Sequence, residues 1–155
     1  MHVVLVEPQI PPNTGNVARL CAATQIPLHL VGRLGFRITD RHLKRAGLDY
    51  WDCVQIHRHK SLGEFLGGIP PSCLFFFSKK GQESYVNAAF QENDFLVFGS
   101  ETKGLPAWIF ERYPQRIWRI PIFHPEVRSL NLASAVSIVL YEALRQIGKL
   151  QEQEK

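Results

Sequence analysis

The chain has 155 residues, of which 45% are hydrophobic and 21% are charged. This length fits one compact domain, and the hydrophobic fraction excludes an intrinsically disordered chain. No apolar run reaches the roughly 18 residues that a membrane-spanning helix needs, and the strand-like start Met1–Val6 lacks the basic residues of a signal peptide. We therefore expect a globular cytoplasmic protein that does not enter a membrane.

The predicted elements are short apolar runs that alternate with helical patterns. In chain order they are strand His2–Val6, helix Asn13–Thr24, strand Leu28–Val31, helix Thr39–Ala46, strand Val54–Ile56, a short helix capped by Ser61, strands Cys73–Ser78 and Phe95–Gly99, a short helix that begins at Pro106, strand Ile117–Ile120 and helix Leu130–Gly148. We place the N-cap of the second helix at Thr39. Because most of these strands lack polar residues, the pattern predicts one α/β domain over residues 1–150, with a mostly parallel sheet and helices on both faces. Residues 151–155 are predicted to form a frayed tail.

The last predicted helix is apolar on two sides. One stripe at helical spacing contains Leu132, Ala135, Val136, Val139, Leu140, Ala143, Leu144 and Ile147, and a second group outside it contains Leu130, Ala133, Ile138 and Tyr141. A helix that is apolar on two sides must be covered twice. We therefore expect it to contact the domain core and also a second subunit.

Basic residues are unevenly distributed, although the net charge is only +4. One segment contains Arg33, Arg37, Arg41, Lys44 and Arg45, and later positions add Arg58, His59, Lys60, Lys79 and Lys80. This distribution favours an anionic partner without identifying it. A solvated basic face explains the same pattern equally well.

Three segments follow predicted strands at the edge where ligands bind in parallel sheets. In the first segment, Pro8–Arg19, the side chains of Asn13, Asn16 and Arg19 recur every three residues and fall on one helical face. Two amides and a guanidinium on one face suit a phosphate and a ribose. A helix capped by Asn13 or Thr14, with one surface arginine, is the alternative interpretation.

The second segment, Phe98–Pro106, has glycines at the interval of a P-loop, Gly99 and Gly104. It lacks the Lys-Ser/Thr pair that a P-loop needs next, so we exclude a triphosphate site. The third segment, Ile120–Ala135, places Arg128, Ser129 and Asn131 where the last helix begins, with Ser129 or Asn131 as its cap. Tight turns and a well-capped helix remain the structural alternatives for these two segments.

Several other classes of site are not indicated by the sequence. The His57-Arg58-His59 run has no third ligand at a metal-like spacing, so we expect no metal. There is neither a Ser-His-Asp set nor a strand followed by G-x-G-x-x-G.

Together the three segments resemble the three sequence motifs of the SPOUT (α/β-knot) RNA methyltransferases. The resemblance is carried by Asn13, Gly15, Asn16 and Arg19, by Phe98–Pro106, and by Ile120-Pro121 and Arg128–Ala133. Within that family the chain is similar to the minimal single-domain enzymes that methylate the 2′-hydroxyl of nucleotide 34, cytidine or modified uridine, in leucine tRNAs. That closer match is carried by Pro8–Asn16 and Arg45–Tyr50.

The resemblance implies a fold, a cofactor and partners. It implies a C-terminal trefoil knot, S-adenosylmethionine as methyl donor with S-adenosylhomocysteine as product, a tRNA substrate, and a homodimer packed through the first and last helices. The residues implied in cofactor binding are Phe77, Gly99, Glu101, Gly104, Ile120, Ser129 and Leu130. Arg19, Ser129 and Asn131 would be catalytic, and Asn13, Asn16, Arg19, Arg41, Lys44 and Arg45 would contact RNA.

The chemistry favours Arg19, or a substrate phosphate that it positions, over a histidine base, because His124 is the only histidine in the three segments. Alternative hypotheses are 2′-O-methylation of another tRNA position or of rRNA, and a non-catalytic RNA-binding module that relies on the basic segment Arg33–Arg45. A flavodoxin-like small-molecule enzyme is disfavoured by the first and third segments.

Overall fold

Seven parallel strands form a single sheet in the computed structural model, which describes residues 1–151. The strands are β1 (His2–Val6), β2 (Leu28–Val31), β3 (Ile56–His59), β4 (Leu74–Phe77), β5 (Glu83–Ser84), β6 (Phe95–Phe98) and β7 (Ile117–Arg119). The helices are α1 (Pro11–Thr24), α2 (Arg41–Gly47), α3 (Leu62–Gly67), α4 (Ala107–Arg112) and α5 (Leu132–Gln146). Short 3-10 helices occupy Leu48–Cys53, Pro71–Cys73, Tyr85–Asn87 and Pro114–Arg116. The strand order is β3-β2-β1-β6-β4-β7-β5.

The sheet separates two apolar layers, because successive side chains of a strand point to opposite faces. In β1, Val3 and Leu5 pack with side chains of α1 and α5, whereas Val4 and Val6 pack with those of α3 and α4. All four of these β1 side chains are buried. The predicted single α/β domain, with a parallel sheet and helices on both faces, is confirmed. Of the predicted tail, only Gln151 falls within the described residues.

The caps of two helices differ from the sequence prediction. Thr39 was wrongly predicted as the N-cap of α2: the Oδ1 atom of Asp40 accepts hydrogen bonds from the amides of His42 at 2.8 Å and Leu43 at 3.2 Å. Asp40 therefore caps a helix that begins at Arg41, and its carboxylate is a stronger acceptor for helix amides than a hydroxyl is. At α1, neither Asn13 nor Thr14 is the cap, because the helix begins two residues before Asn13, at Pro11. Proline suits that first position, since its missing amide hydrogen would have no partner there.

The predicted cap of α3 is confirmed, because the Oγ atom of Ser61 accepts a hydrogen bond from the Glu64 amide at 3.2 Å. The third strand was misplaced: it runs from Ile56 to His59 rather than from Val54. The exposed polar side chains of β3 gave no apolar pattern, since β3 lies at the edge of the sheet. The two-residue strand β5, at the opposite edge, was not predicted at all.

The last helix, α5, retains apolar side chains on its solvent side. Asn131 is its N-cap and accepts a hydrogen bond from the Ser134 amide at 3.2 Å. Its buried stripe includes Val136, Val139 and Leu140, whereas Ile138 is 38% and Tyr141 45% exposed. Within one chain, the second apolar side of α5 therefore remains uncovered.

Four histidines lie side by side across β1, β2 and β3. Nδ1 of His2 is 3.0 Å from Nε2 of His29, and Nδ1 of His29 is 2.9 Å from Nε2 of His59. The ring of His57 stacks on that of His29, with centroids 4.9 Å apart. Burial lowers the pKa of His29 to about 3, assisted by the other three histidines. Burial also lowers the pKa of His2 to about 4, assisted by the N-terminal ammonium group and His57.

Within residues 1–151, no helix combines the length and the hydropathy that crossing a membrane requires.

Candidate active site

A hollow of about 630 Å³ opens at the carboxyl ends of β4, β6 and β7. It is lined by residues of the second and third segments and by those that follow β4. Six of the seven residues that the resemblance implied for cofactor binding line it, namely Phe77, Glu101, Gly104, Ile120, Ser129 and Leu130. A volume of this size is typical of sites for small molecules and cofactors.

Gly99, the seventh of these residues, lies behind the wall rather than in it. A Cβ atom at Gly99 would stand 2.2 Å from the carbonyl carbon of Gly104 and 2.4 Å from the amide nitrogen of Leu105. The second segment folds back on itself here, because Ser100 and Gly104 exchange backbone hydrogen bonds of 2.9 and 3.3 Å. Gly104 has φ +65°, a value that glycine adopts without strain. The two glycines therefore allow the tight turn that forms one wall of the hollow.

Glu101 joins the second segment to the first. Its Oε1 atom accepts a hydrogen bond from the Gln9 amide at 3.0 Å, and its Oε2 atom accepts one from the Ile10 amide at 2.6 Å. The side-chain amide of Asn13 also donates to Oε2, at 3.4 Å. The carboxylate thus accepts the amides of the two residues that precede α1, next to the positive end of the helix dipole, where negative charge is stabilised.

Asn13 also joins the first segment to the third. Its Oδ1 atom accepts a hydrogen bond from Nδ2 of Asn131 at 2.9 Å, and Oδ1 of Asn131 accepts one from the Ser134 amide. Asn13 is 8% exposed and its amide group has partners on both sides. All three segments are therefore held together by the chain Glu101–Asn13–Asn131.

Arg19 and Asn16 do not line the hollow of their own chain. Both are exposed on α1, and the Arg19 guanidinium lies 5.7 Å from the ring centroid of Tyr50. Arg41, Lys44 and Arg45 are exposed on α2, which packs closely on α1: a Cβ atom at Gly15 would stand 2.4 Å from the carbonyl oxygen of Leu43. The residues predicted to contact RNA thus form a surface on α1 and α2, except for Asn13, which is buried.

The hollow has four cationic side chains that were not among the predicted site residues. They are Lys79, Lys80, Lys103 and Arg128. The sequence signal for two of them was the pair Lys79 and Lys80, which belong to the unevenly distributed basic residues noted above. Glu101 is the only acidic residue in the described lining, and its carboxylate already accepts three hydrogen bonds. The hollow is therefore suited to an anionic substrate.

A second hollow, of about 450 Å³, lies at the carboxyl ends of β2 and β3. It is lined by Gly32, Arg33, Arg58, His59 and Lys60. Both hollows open at the same edge of the sheet, because all the strands are parallel. Basic side chains therefore extend along much of this edge.

Within the described part of the chain, no group of three or more His, Cys, Asp or Glu side chains is arranged to hold a metal ion. The histidines across β1–β3 direct their ring nitrogens at one another in pairs.

Comparison with known proteins identifies the family of this chain. The family model described as the SpoU rRNA Methylase family matches residues 1–141. The tRNA (cytidine(34)-2'-O)-methyltransferase of Escherichia coli (strain K12) is 47% identical over 150 residues, which cover 96% of this chain and 94% of that protein.

Two solved structures agree with this match. One concerns the 2-OH methylation of C/U34 on tRNA; its TM-score to this chain is 0.88, its identity is 48%, and the match covers 94% of each chain. The other is an AdoMet-bound rRNA methyltransferase from Sinorhizobium meliloti, with a TM-score of 0.82 and 25% identity over 97% of this chain and 57% of that one. The predicted resemblance to the SPOUT methyltransferases is confirmed. The chain belongs to the SpoU rRNA methylase family and is a methyltransferase.

Proposed function

We propose that this enzyme transfers a methyl group from S-adenosylmethionine to the 2′-hydroxyl of nucleotide 34, a cytidine or modified uridine, in leucine tRNAs, and that it does so in the cytoplasm. The proposal is carried by one observation: the second and third segments, which are far apart in the chain from the first, line a hollow with cationic side chains, and the first segment is hydrogen-bonded to both of them through Asn13. The names of the relatives that match along almost the whole chain support the choice of tRNA.

The hollow is large enough for S-adenosylmethionine, and the apolar part of its lining suits the adenosyl group. Apolar side chains of Phe77, Leu105, Ile120 and Ile122 suit the adenine ring, and the backbone of the tight turn that ends at Gly104 offers polar groups at close range. The AdoMet-bound neighbour supports this assignment. We further propose that the chain forms the trefoil knot typical of the SPOUT family, with the second and third segments in it.

The bound S-adenosylmethionine supplies a methyl group that its sulfonium has already activated, so the protein mainly aligns the reacting groups. The ribose hydroxyl is a poor nucleophile until its proton is withdrawn or its negative charge is stabilised. Ser129 lines the hollow and is exposed to it, so we assign it a contact with the reacting groups. Glu101 and Asn131 act as positioning residues, because their side chains are already hydrogen-bonded to other groups of the protein.

Arg19 is assigned the contact with the phosphate or ribose of the target nucleotide. Since it lies outside the hollow of its own chain, we propose that a homodimer packed through α1 and α5 brings Arg19 of the partner subunit to the site. The uncovered apolar side of α5 supports this dimer.

The function is tested by incubating the purified protein with S-adenosylmethionine and either tRNA or rRNA, followed by mass mapping of ribose methylation. We expect one modified ribose at nucleotide 34 of leucine tRNAs, and the same modification missing from a strain that lacks the gene. Methylation of rRNA with unmodified tRNA would reject the proposed substrate but retain the proposed chemistry.

The variant Arg19→Ala tests the role of the arginine. We expect the rate of methyl transfer to fall about 100-fold or more, as when one preorganised electrostatic contact is removed, while calorimetry gives an unchanged affinity for S-adenosylmethionine. Arg112→Ala, which removes an exposed arginine from α4, is the matched control and should keep full activity. An active Arg19→Ala variant would exclude Arg19 from the mechanism.

A further inference from the structure

Among the large apolar side chains that the structure describes, Phe123 is the most exposed, at 95%. The next in this group is Val86, at 52%. Single apolar side chains on a surface are common, but a phenyl ring that contacts almost no other part of its chain is not. The place of Phe123 in the fold indicates what the exposed ring can bind.

Phe123 belongs to the third segment, between β7 and α5, and its neighbour Ile122 lines the main hollow. The following turn is fixed by two hydrogen bonds to His124: its carbonyl oxygen accepts from the Val127 amide, and its Nδ1 atom accepts from the Glu126 amide, both at 3.2 Å. Pro121 and Pro125 restrict the backbone on either side. The ring is thus held outside the hollow by an ordered loop.

The hollow beside this loop has a cationic lining. The loop that carries Phe123 returns to the hollow at Arg128 and Ser129, and Lys79, Lys80 and Lys103 lie on the other walls. Single-stranded RNA is bound in this way, with its bases stacked on exposed aromatic rings and its phosphates beside lysine and arginine. A nucleotide next to the methylated one therefore finds a ring for its base and cations for its phosphates.

We propose that Phe123 is a substrate-binding residue, on which a base next to the target nucleotide stacks when RNA is bound. This inference rests on the proposed function, because it takes the substrate to be an RNA with an unpaired target nucleotide. It adds a recognition element that is not among the residues that carry the family resemblance.

The test compares Phe123→Ala, Phe123→Leu and Phe123→Tyr in the full-length protein, with unmodified leucine tRNA as substrate. Stacking of one base corresponds to roughly a 10-fold change in affinity. We expect Phe123→Ala and Phe123→Leu to raise the KM for tRNA by about that factor, with kcat and the affinity for S-adenosylmethionine unchanged. Phe123→Tyr, which keeps an aromatic face, should restore the wild-type KM. Val127→Ala, an apolar truncation in the same loop at a 47% exposed position, should also behave like the wild type.

Three outcomes would overturn the inference. A wild-type KM for Phe123→Ala would show that the ring does not contact RNA, and a wild-type KM for Phe123→Leu would show that its aromatic face is irrelevant. Dissociation of Phe123→Ala in sedimentation velocity would show that the ring packs against a second copy of the chain. The two KM outcomes presuppose that the wild type methylates tRNA; if it does not, the proposed function itself fails. Truncation of a side chain that is 95% exposed leaves folding intact, which circular dichroism checks.

Discussion

Gly99 supports a wall of the hollow without lining it. It is followed by a turn whose two ends, Ser100 and Gly104, are joined by backbone hydrogen bonds, and the returning backbone fills the space where a side chain would be. The wall of the hollow formed by this turn therefore depends on the missing Cβ atom.

The variant Gly99→Ala should lose cofactor binding. Its Cβ atom would lie 2.2 to 2.6 Å from backbone atoms of Gly104 and Leu105, so the turn must open. We expect a loss of about 1–3 kcal/mol in the free energy of unfolding, as for other overpacked sites, and at least a 10-fold weaker affinity for S-adenosylmethionine by calorimetry.

The matched control is Gly63→Ala in α3, where a Cβ atom meets nothing within 4 Å. This substitution should raise stability by about 0.5–1 kcal/mol, because alanine favours a helix over glycine. Unchanged cofactor affinity in Gly99→Ala would mean that the turn does not shape the site.

The family resemblance identified most of the residues that line the hollow, but not the hydrogen bonds that assemble it. Phe77, Ile120 and Ser129 were predicted because the family resemblance places a cofactor beside them, and they do line the hollow. The hydrogen bonds that the Gln9 and Ile10 amides donate to Glu101 join residues more than 90 positions apart. No spacing in the sequence signals such a contact, since only the folded sheet brings the two segments together.

At the scale of elements, the histidine cluster shows that parallel strand pairing brings together residues that are far apart in the sequence. His29 of β2 is paired with His57 of β3, so the two rings fall on the same face of the sheet. The sequence shows only the local His57-Arg58-His59 run, and the strand was predicted at Val54–Ile56 rather than at Ile56–His59. Edge strands such as β3 carry polar side chains, which hides them from hydrophobic patterns.

The same cluster predicts that stability falls in mild acid. The unfolded histidines take up protons near their ordinary pKa of 6.5, whereas in the folded protein the pKa is about 3 for His29 and about 4 for His2. Below pH 6.5 the unfolded state therefore binds more protons, and the free energy of unfolding falls with the pH. The buried His29 alone should account for about 1–2 kcal/mol between pH 6.5 and 5.

Urea denaturation at pH 7, 6 and 5 measures this loss, and the variant His29→Gln assigns it. The variant should show a clearly smaller fall over that range, whereas His124→Gln, which changes an exposed histidine outside the cluster, should keep the wild-type profile. A stability that is constant from pH 7 to 5 would contradict the prediction. Carboxylates with a lowered pKa, such as Glu142 beside Arg145, change the free energy of unfolding at lower pH. They therefore do not obscure the effect of the histidines between pH 7 and 5.

At the scale of the whole molecule, the sequence of α5 predicted a second apolar side, and a single chain leaves this side uncovered. The buried stripe covers the sheet, as predicted, while Ile138 and Tyr141 remain 38% and 45% exposed. Periodicity shows that a second face is apolar, but it gives neither the partner that covers this face nor the path of the chain. The proposed trefoil knot was likewise inferred from the family resemblance and not from periodicity. No local pattern encodes how one segment of the chain passes another.

The proposed dimer predicts that one charge on this face separates the subunits and stops catalysis. In Ile138→Glu, burial of the interface would require the desolvation of a carboxylate, which is strongly unfavourable without a partner. Sedimentation equilibrium should give about twice the chain mass of 17.7 kDa for the wild type and the single-chain mass for the variant. Methyl transfer should be lost, because Arg19 of the partner subunit no longer reaches the site. Trp108→Glu, at a 36% exposed position on α4 across the sheet, should remain dimeric and active. A dimeric Ile138→Glu would place the interface elsewhere, and a monomeric variant with full activity would show that each chain catalyses the reaction with its own residues.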